Sequence, residues 1–124
     1  MTGLTFDTGA LIALERRRQR IARVYRVAVE DGIPVTVPTV VLAEWWRGRT
    51  AARDTIVRGL RLEPLGAHIA KLAGEALAAV RGSGAVDAIV MASAALRGDV
   101  VYTSDLPDLQ SLQAFVPTVR VLAV

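Results

Sequence analysis

The sequence predicts a three-layer α/β/α protein, in which helices cover both faces of a central parallel sheet of four to five strands. Short β-branched runs alternate with longer runs at helical spacing, and strands separated by helices pair in parallel through right-handed crossovers. The residues are 52% hydrophobic but only 5% aromatic, so aliphatic side chains must build the core. A length of 124 residues predicts a single domain over residues 1–124.

The first half of the chain predicts two strands and three helices. Leu4 and Phe6 alternate with smaller polar residues, which is the period of a strand. The long helix that follows ends at Gly32, and the arginine cluster within it is a place where the helix could break. In order, the segments are a strand in GLTFDT, a helix in ALIALERRRQRIARVYRVAVED, a strand in IPVTVP, a helix opened by Pro38 and Thr39, and a helix over about residues 50–59.

The second half predicts three strands and two helices. Glycines mark the helix ends, because Gly82 and Gly84 follow one apolar periodic run and Gly98 follows the next. The residues around Pro107 predict only a short turn. In order, the segments are a strand in RLEPL, a helix over residues 67–80, a helix in AVDAIVMASAALRG, a buried strand in DVVYTSD and a closing strand in TVRVLAV.

Composition restricts both the compartment and the metal chemistry. The chain has no cysteine, which agrees with a reducing compartment and excludes thiolate ligands. Its apolar runs fall short of the roughly 20 residues that cross a bilayer, and its first residues lack a signal-peptide pattern. We therefore expect a cytoplasmic protein without membrane contact. The single histidine, His68, is predicted to be a surface or packing residue, so any metal ligands should be oxygens.

Arginine supplies nearly all of the positive charge. The net charge is +3, and every basic residue except Lys71 is an arginine. Arg16, Arg20 and Arg23 recur at i, i+4 and i+7, which predicts one helical stripe able to follow the phosphates of a nucleic acid. A solvated helix face is the other interpretation of this stripe, and the spacing alone does not decide between the two.

Four acids are predicted to share one edge of the sheet. Asp7 and Asp105 each follow a strand, Asp87 lies in the first turn of its helix, and Glu44 lies one turn into the helix after the second strand. In a parallel α/β sheet the carboxyl ends of the strands and the N-termini of the following helices lie on one edge, where such folds place their sites. The acids should therefore converge.

Each acid also has a purely structural interpretation. Asp7 and Asp105 could cap the next helix or turn, and Asp87 could be an ordinary first-turn acid that favours the helix dipole. Glu44 differs, because the run VVLAEWW surrounds it with apolar residues and an unpaired carboxylate on such a surface is costly. It should need a cation, and an ion pair with Arg47 at i+3 is the alternative to a metal.

Electrostatic repulsion favours the metal. If the carboxylates converge to about 6 Å, each pair repels by roughly 3 kcal/mol at an effective dielectric near 20. Several such pairs would exceed the stability of a small domain unless protons or divalent cations compensate. An all-oxygen ligand set suits Mg²⁺ or Mn²⁺.

Four segments carry a resemblance to a known family: TFDTGALIAL, PTVVLAEWWRG, AVDAIVMASAAL and VVYTSDLPDL. In this order they resemble the PIN-domain ribonucleases and, among them, the VapC-like toxins of prokaryotic toxin/antitoxin pairs. The resemblance spans essentially the whole chain. It implies catalytic and metal-ligating roles for four acids and supporting roles for three neighbours: Asp7, Glu44, Asp87 and Asp105, supported by Thr103, Thr8 and Asp108.

The resemblance implies a Mg²⁺- or Mn²⁺-dependent endoribonuclease that hydrolyses RNA phosphodiester bonds, with a cognate antitoxin as partner and a homodimer as the expected assembly. RNA contacts are then expected from four arginines: Arg16, Arg20, Arg23 and Arg47. Of the adjacent Trp45 and Trp46, one should pack in the core and the other should face a partner or a base. The sequence departs from the family at Gly9, where Ser or Asn is frequent, and this departure puts the level of activity in question.

Two other classes of α/β protein would need residues that this sequence lacks. A receiver domain would need a lysine near the last strand, but the only lysine is Lys71. A haloacid-dehalogenase-like phosphatase would need a second aspartate at Gly9. The remaining alternative is a catalytically weak PIN-like module that binds RNA or an antitoxin without efficient cleavage.

Overall fold

A five-stranded parallel sheet forms the centre of the computed structural model, which describes residues 2–124. The strands are β1 Leu4–Phe6, β2 Val35–Pro38, β3 Arg61–Glu63, β4 Val100–Thr103 and β5 Val121–Ala123. Their order across the sheet is β3-β2-β1-β4-β5, and every neighbouring pair is parallel. The predicted fold class is therefore confirmed.

Helices flank this sheet and give the three-layer α/β/α arrangement. Among residues 2–124 the helices are α1 Thr8–Glu15, α2 Gln19–Glu30, α3 Thr39–Trp45, α4 Ala51–Arg58, α5 Ala67–Ala79, α6 Ala85–Arg97 and α7 Leu106–Leu112. Helix α6 contacts β1, β2 and β4 and carries the most continuous buried surface of any helix in the described chain, from Ala88 to Ala94. No helix in this part of the chain is long and apolar enough to span a membrane.

Strand β1 is the middle of the sheet and fixes the position of Asp7. Phe6 pairs with Tyr102 in register, so the end of β1 lies beside the end of β4. Phe6 and Val101 are fully buried, as expected for strands covered on both faces. The residues that follow these two strands, Asp7 and Thr103 to Asp105, are thereby brought together at the carboxyl edge of the sheet.

The long helix predicted after β1 is two helices. Helix α1 ends at Glu15, and Arg17 adopts a left-handed backbone with φ of 57°. The N–H of Arg18 donates to the carbonyl of Ala13, and the N–H of Arg17 donates to that of Leu14. These two bonds form a Schellman motif, which closes a helix and turns the chain. The break falls in the arginine cluster, where the sequence had allowed one, although both helices bury one face in the same core and the apolar period does not mark the break.

This turn makes the predicted arginine stripe wrong. Arg16 lies at the C-cap of α1, whereas Arg20 and Arg23 lie on α2, so no single helix presents all three. All three side chains are exposed. The turn brings Arg16, Arg18 and Arg20 to the same groove instead, as described below.

Helix α7 is the element that the sequence analysis missed. A turn was predicted around Pro107, but Pro107 lies in the first turn of a helix, where proline is well tolerated. Leu109 and Leu112 of this helix are fully buried. Leu106, Leu109 and Leu112 recur at spacings of three, which is a helical signal that the strong turn residues masked.

A buried polar network joins the end of α6 to the sheet. Thr5 donates its hydroxyl to Asp99 Oδ2 at 2.8 Å, and Arg97 Nε donates to the same oxygen at 2.9 Å. Arg97 also donates to the hydroxyls of Thr5 and Ser93, at 2.8 and 2.6 Å. Every charge in this network has partners, as burial requires. The network is structural, since Asp99 precedes β4 at the edge opposite the acids.

Candidate active site

Asp7 is buried and held by hydrogen bonds from two directions. It lies at the N-cap of α1, where its Oδ1 accepts the N–H of Ala10 at 2.8 Å. The hydroxyl of Thr103 donates to Oδ2, and the N–H of Asp105 donates to Thr103 Oγ1 at 2.8 Å. The capping interpretation is thus correct for Asp7 Oδ1. Asp7 Oδ2 is instead connected, through the Thr103 hydroxyl, to the backbone N–H of Asp105.

Glu44 reaches the same edge from α3, but it is not buried. The expectation that it lies against apolar surface is wrong: Val41 and Trp45 turn inward at 0% and 2% exposure, and Glu44 turns outward. Thr8 Oγ1 donates to Glu44 Oε1 at 2.5 Å. In the described residues no ion pair joins Glu44 to Arg47. The predicted alternative of a simple arginine pair therefore has no support.

Three aspartates from α6 and α7 form the tightest part of the site. Asp87, Asp105 and Asp108 each offer a carboxylate oxygen within 4.8 Å of the others, so the three could hold one metal ion. Asp87 is half-buried, and the other two are exposed. Asp108 was expected only in a supporting role, but it lies in the first turn of α7, which folds back over the N-cap residue Asp105 and brings the two side chains together.

The acids influence one another electrostatically. Burial and the charges of Asp7, Asp105, Asp108 and Glu44 raise the pKa of Asp87 to about 6. Burial raises the pKa of Asp7 as well, against the opposing hydrogen bonds, and the charges of Asp105 and Glu44 add to the rise. A hydrogen bond with Asp108 raises the pKa of Asp105. We call these five residues the acidic cluster.

The donor chemistry of the acidic cluster fits a hard divalent cation. All five side chains offer carboxylate oxygens. Burial is the largest cause of the raised pKa values of Asp7 and Asp87, and neighbouring carboxylates add repulsion that a cation would relieve. His68 lies exposed on α5 and is absent from the group of close ligand atoms in the described chain. The set therefore suits Mg²⁺ or Mn²⁺ better than zinc.

An open cleft of about 510 Å³ adjoins Glu44, and we call it the Glu44 cleft. Trp45 donates its indole N–H to Glu15 Oε1 at 2.9 Å, and Arg53 Nε lies 3.1 Å from Glu15 Oε2. These contacts set the far wall of the cleft in place. Its lining residues are Thr8, Ile12, Glu15, Arg16, Glu44, Trp45, Arg47 and Arg53.

The two tryptophans have different surroundings. Trp45 is buried in the core at 2% exposure. Trp46 is half-buried and meets Trp45 edge to face at a centroid distance of 6.1 Å. It lines an apolar groove of about 440 Å³ with Thr39, Leu42, Ala43 and Val57.

A second groove, of about 350 Å³, lies on the other side of α1. We call it the arginine groove. Three arginines, Arg16, Arg18 and Arg20, line it together with Gly9, Ser104 and the apolar residues Ile12, Ala13 and Val124. Arg23 lines neither this groove nor the Glu44 cleft, although the stripe had included it. Arg18 had no role in the sequence analysis because its position depends on the turn after α1, and Ser104 had none because its position depends on how the end of β4 packs against Gly9.

Comparison with known protein families gives a match that covers most of the chain. The PIN domain model matches residues 4–107. The chain belongs to the PIN-domain family. The match includes the segments that contain Asp7, Glu44, Asp87 and Asp105, and it confirms the resemblance on which the predicted roles of these residues depend. A comparison with curated proteins finds no match.

Solved structures share the fold of this PIN domain along nearly its full length. VapBC2 from Rickettsia felis, bound to a promoter DNA fragment, superposes with a TM-score of 0.79 at 11% identity and covers 98% of each chain. DNA-bound VapBC from Salmonella typhimurium gives 0.75 at 18%, covering 99% of this chain and 98% of that one. A toxin-antitoxin complex from Klebsiella pneumoniae gives 0.69 at 20%, covering 98% and 96%.

Proposed function

We propose that this PIN domain is a Mg²⁺- or Mn²⁺-dependent endoribonuclease that acts as the toxin of a toxin/antitoxin pair. One observation carries the proposal. Five carboxylates from four separate parts of the chain meet at the carboxyl edge of the sheet, and burial together with the charges of the other four raises the pKa of Asp87 to about 6. An arrangement with that electrostatic cost is typical of a metal centre.

Asp7, Glu44, Asp87 and Asp105 are the proposed metal ligands and catalytic residues, and Asp108 is a fifth candidate ligand. When bound, a divalent ion activates water for attack on phosphorus and offsets the charge on the phosphate oxygens. The protein's part is to hold the ligands in place. Thr103 orients Asp7, and Thr8 orients Glu44, each through the hydroxyl that donates to the acid.

The proposed RNA path uses the arginines on either side of the acidic cluster. A negatively charged strand must be attracted toward an acidic site, and guanidinium groups supply that attraction through several donors each. Arg16 lines both the Glu44 cleft and the arginine groove, and Arg47 lines the cleft alone. Arg20 adds charge to the groove, and exposed Arg23 extends the basic surface along α2.

The proposed partner is an antitoxin protein. The similar structures from Rickettsia felis, Salmonella typhimurium and Klebsiella pneumoniae are all toxin or VapBC complexes, which supports a partner of that kind for this chain. A homodimer belongs to the same proposal. So does a cytoplasmic location, because the RNA target of such a toxin is cytoplasmic.

RNA cleavage with matched variants tests this function. The purified protein, Asp7→Asn and the control Asp31→Asn are incubated with RNA in Mn²⁺, in Mg²⁺ and in chelator. Asp31 is a suitable control because it is exposed at the end of α2, outside the acidic cluster. We expect metal-dependent cleavage by the parent and by Asp31→Asn, and a loss of at least about a hundredfold in Asp7→Asn.

Equal cleavage by the parent and Asp7→Asn would remove the enzyme proposal. RNA binding without cleavage by any of the three proteins would instead favour the weakly active binding module. Melting curves of the variants show whether a lost activity reflects the site or the fold.

A further inference from the structure

Gly9 and Ser104 lie so close together that only one of the two positions can carry a side chain. A Cβ atom built on Gly9 would lie 1.7 Å from Ser104 Oγ and 2.6 Å from Ser104 Cβ. Rotation of the Ser104 side chain would not relieve the second contact, because Cβ is fixed by the backbone. The absence of a side chain at residue 9 therefore lets the Ser104 side chain lie over the first turn of α1.

The backbone on both sides of Ser104 is held in place. Thr103 before it is buried and bonded to Asp7, and the N–H of Asp105 after it donates to Thr103. The N–H of Asp7 also donates to the carbonyl of Tyr102 at 3.3 Å. Ser104 thus presents an exposed hydroxyl at a fixed place directly beside two members of the acidic cluster.

Ser104 forms one end of the arginine groove. Arg16, Arg18 and Arg20 line the groove together with Gly9 and Ser104, and three apolar residues complete the lining: Ile12, Ala13 and Val124. None of these three arginines forms an ion pair within residues 2–124. Three cations without a carboxylate partner and one hydroxyl donor make a surface that can bind an anion. The acidic cluster at the end of the groove repels a free anion from the space beside it.

We propose that the arginine groove binds a backbone phosphate of the RNA strand next to the scissile one, with the Ser104 hydroxyl donating to that phosphate. Gly9 is the residue that makes this contact possible, because any side chain there would displace Ser104. The inference rests on the proposed ribonuclease function. Ser104 acts as a positioning residue: it sets which phosphate of the RNA strand lies over the acidic cluster.

Three variants distinguish the effect of the Ser104 hydroxyl from the effect of the space that the Ser104 side chain fills. Ser104→Ala removes the donor and keeps the fit. Gly9→Ala forces Ser104 away, and Gly9→Ala with Ser104→Gly restores the space without the donor. Arg58→Gln is the charge control, because Arg58 is exposed on α4 outside the groove.

Binding is measured first, in chelator, with labelled single-stranded RNA. We expect Ser104→Ala and the double variant to weaken binding by about tenfold or more, the effect of one hydrogen bond to a charged group. Gly9→Ala should also bind RNA more weakly, and it should melt at a lower temperature than the double variant. Mn²⁺ should raise the melting temperature of Ser104→Ala as much as that of the parent, since no metal ligand has changed.

A second readout locates the phosphate. RNAs that carry a single uncharged methylphosphonate linkage are compared position by position in the parent, Ser104→Ala and Arg18→Gln. In the parent, one linkage beside the cleavage site should cost about tenfold in binding, whereas the same linkage should cost clearly less in either variant because one of its partners is already lost. Arg58→Gln should retain the full sensitivity of the parent.

The subsite proposal is overturned if all linkages have equal effects, or if Ser104→Ala remains as sensitive as the parent at every linkage. Cleavage that persists with parental kcat and KM in Ser104→Ala would likewise reject it, while leaving the ribonuclease function intact. If the parent binds RNA with one sensitive linkage but never cleaves it, the nuclease proposal fails, and the subsite's place beside a scissile phosphate fails with it; only the phosphate contact in the arginine groove then remains.

Discussion

Replacing Asp87 with asparagine should stabilise the metal-free protein and abolish most of its stabilisation by metal. Burial is the largest cause of the raised pKa of Asp87, and the charges of Asp7, Asp105, Asp108 and Glu44 add to it. The ionised form is therefore destabilised in the folded state. Asparagine is nearly the same size and carries no charge, so it removes the repulsion without opening a cavity.

The size of the effect follows from the pKa of Asp87. A rise from 3.8 to about 6 corresponds to roughly 3 kcal/mol for the ionised carboxylate. Since the side chain is only half-buried, water screens part of that repulsion, and we expect a gain of about 1 to 2 kcal/mol at pH 7.5. For a domain of this length the melting temperature should rise by roughly 4 to 8 °C.

The pH dependence has a definite sign. Below about pH 4 the carboxyl is protonated in both the folded and the unfolded chain, so Asp87 and asparagine should be nearly equivalent. Between the unfolded value of 3.8 and the folded value of about 6, only the unfolded chain releases the proton, and the free energy of unfolding falls as pH rises. Above pH 6 the penalty is complete and the advantage of asparagine is largest.

Urea and thermal unfolding of the parent, Asp87→Asn and the control Asp31→Asn at pH 4 and pH 7.5 measure this difference. Each series is repeated with millimolar Mn²⁺, which should stabilise the parent and the control far more than Asp87→Asn. The reasoning is refuted if Asp87→Asn gains the same stability at both pH values. It is also refuted if Mn²⁺ stabilises Asp87→Asn as strongly as the parent, because the acid would then not belong to the metal centre.

Three further predictions address other parts of the molecule. Thr103→Val removes the hydroxyl that donates to Asp7. We expect about a tenfold or larger loss of RNA cleavage, and a decrease of about 1 to 3 kcal/mol in the free energy of unfolding measured in urea. Unchanged cleavage would show that Asp7 needs no such support. Asp99→Ala leaves Arg97 without its buried partner and should cost about 3 to 5 kcal/mol in the same assay, and a cost under about 1 kcal/mol would contradict the network. Arg16→Gln should reduce the slope of log Kd for RNA against log salt by about 0.7, and an unchanged slope would exclude a phosphate contact.

Local sequence patterns were sufficient for the architecture and for the neighbourhood of the acids. Strand and helix periods report on the chain within one element, and parallel pairing then places every strand end at one edge. For this reason Asp7, Asp87 and Asp105 could be assigned to a common edge from sequence. The boundaries of single elements were less secure, and α7 was missed because Asp105, Pro107 and the acids around them also favour a turn.

The sequence by itself determined the fold class, the all-oxygen character of the candidate metal centre and the edge on which it lies. Only the tertiary structure decided that Glu44 faces solvent, that Asp108 joins the acidic cluster, and that a Schellman turn gathers Arg18 with Arg16 and Arg20. It also decided that Ser104 fills the space left by Gly9. The physical reason is that periodicity encodes which face of an element is buried. It does not encode where an element starts or ends, as at the turn after α1 and the start of α7, nor how segments far apart in the chain, such as Gly9 and Ser104, pack together.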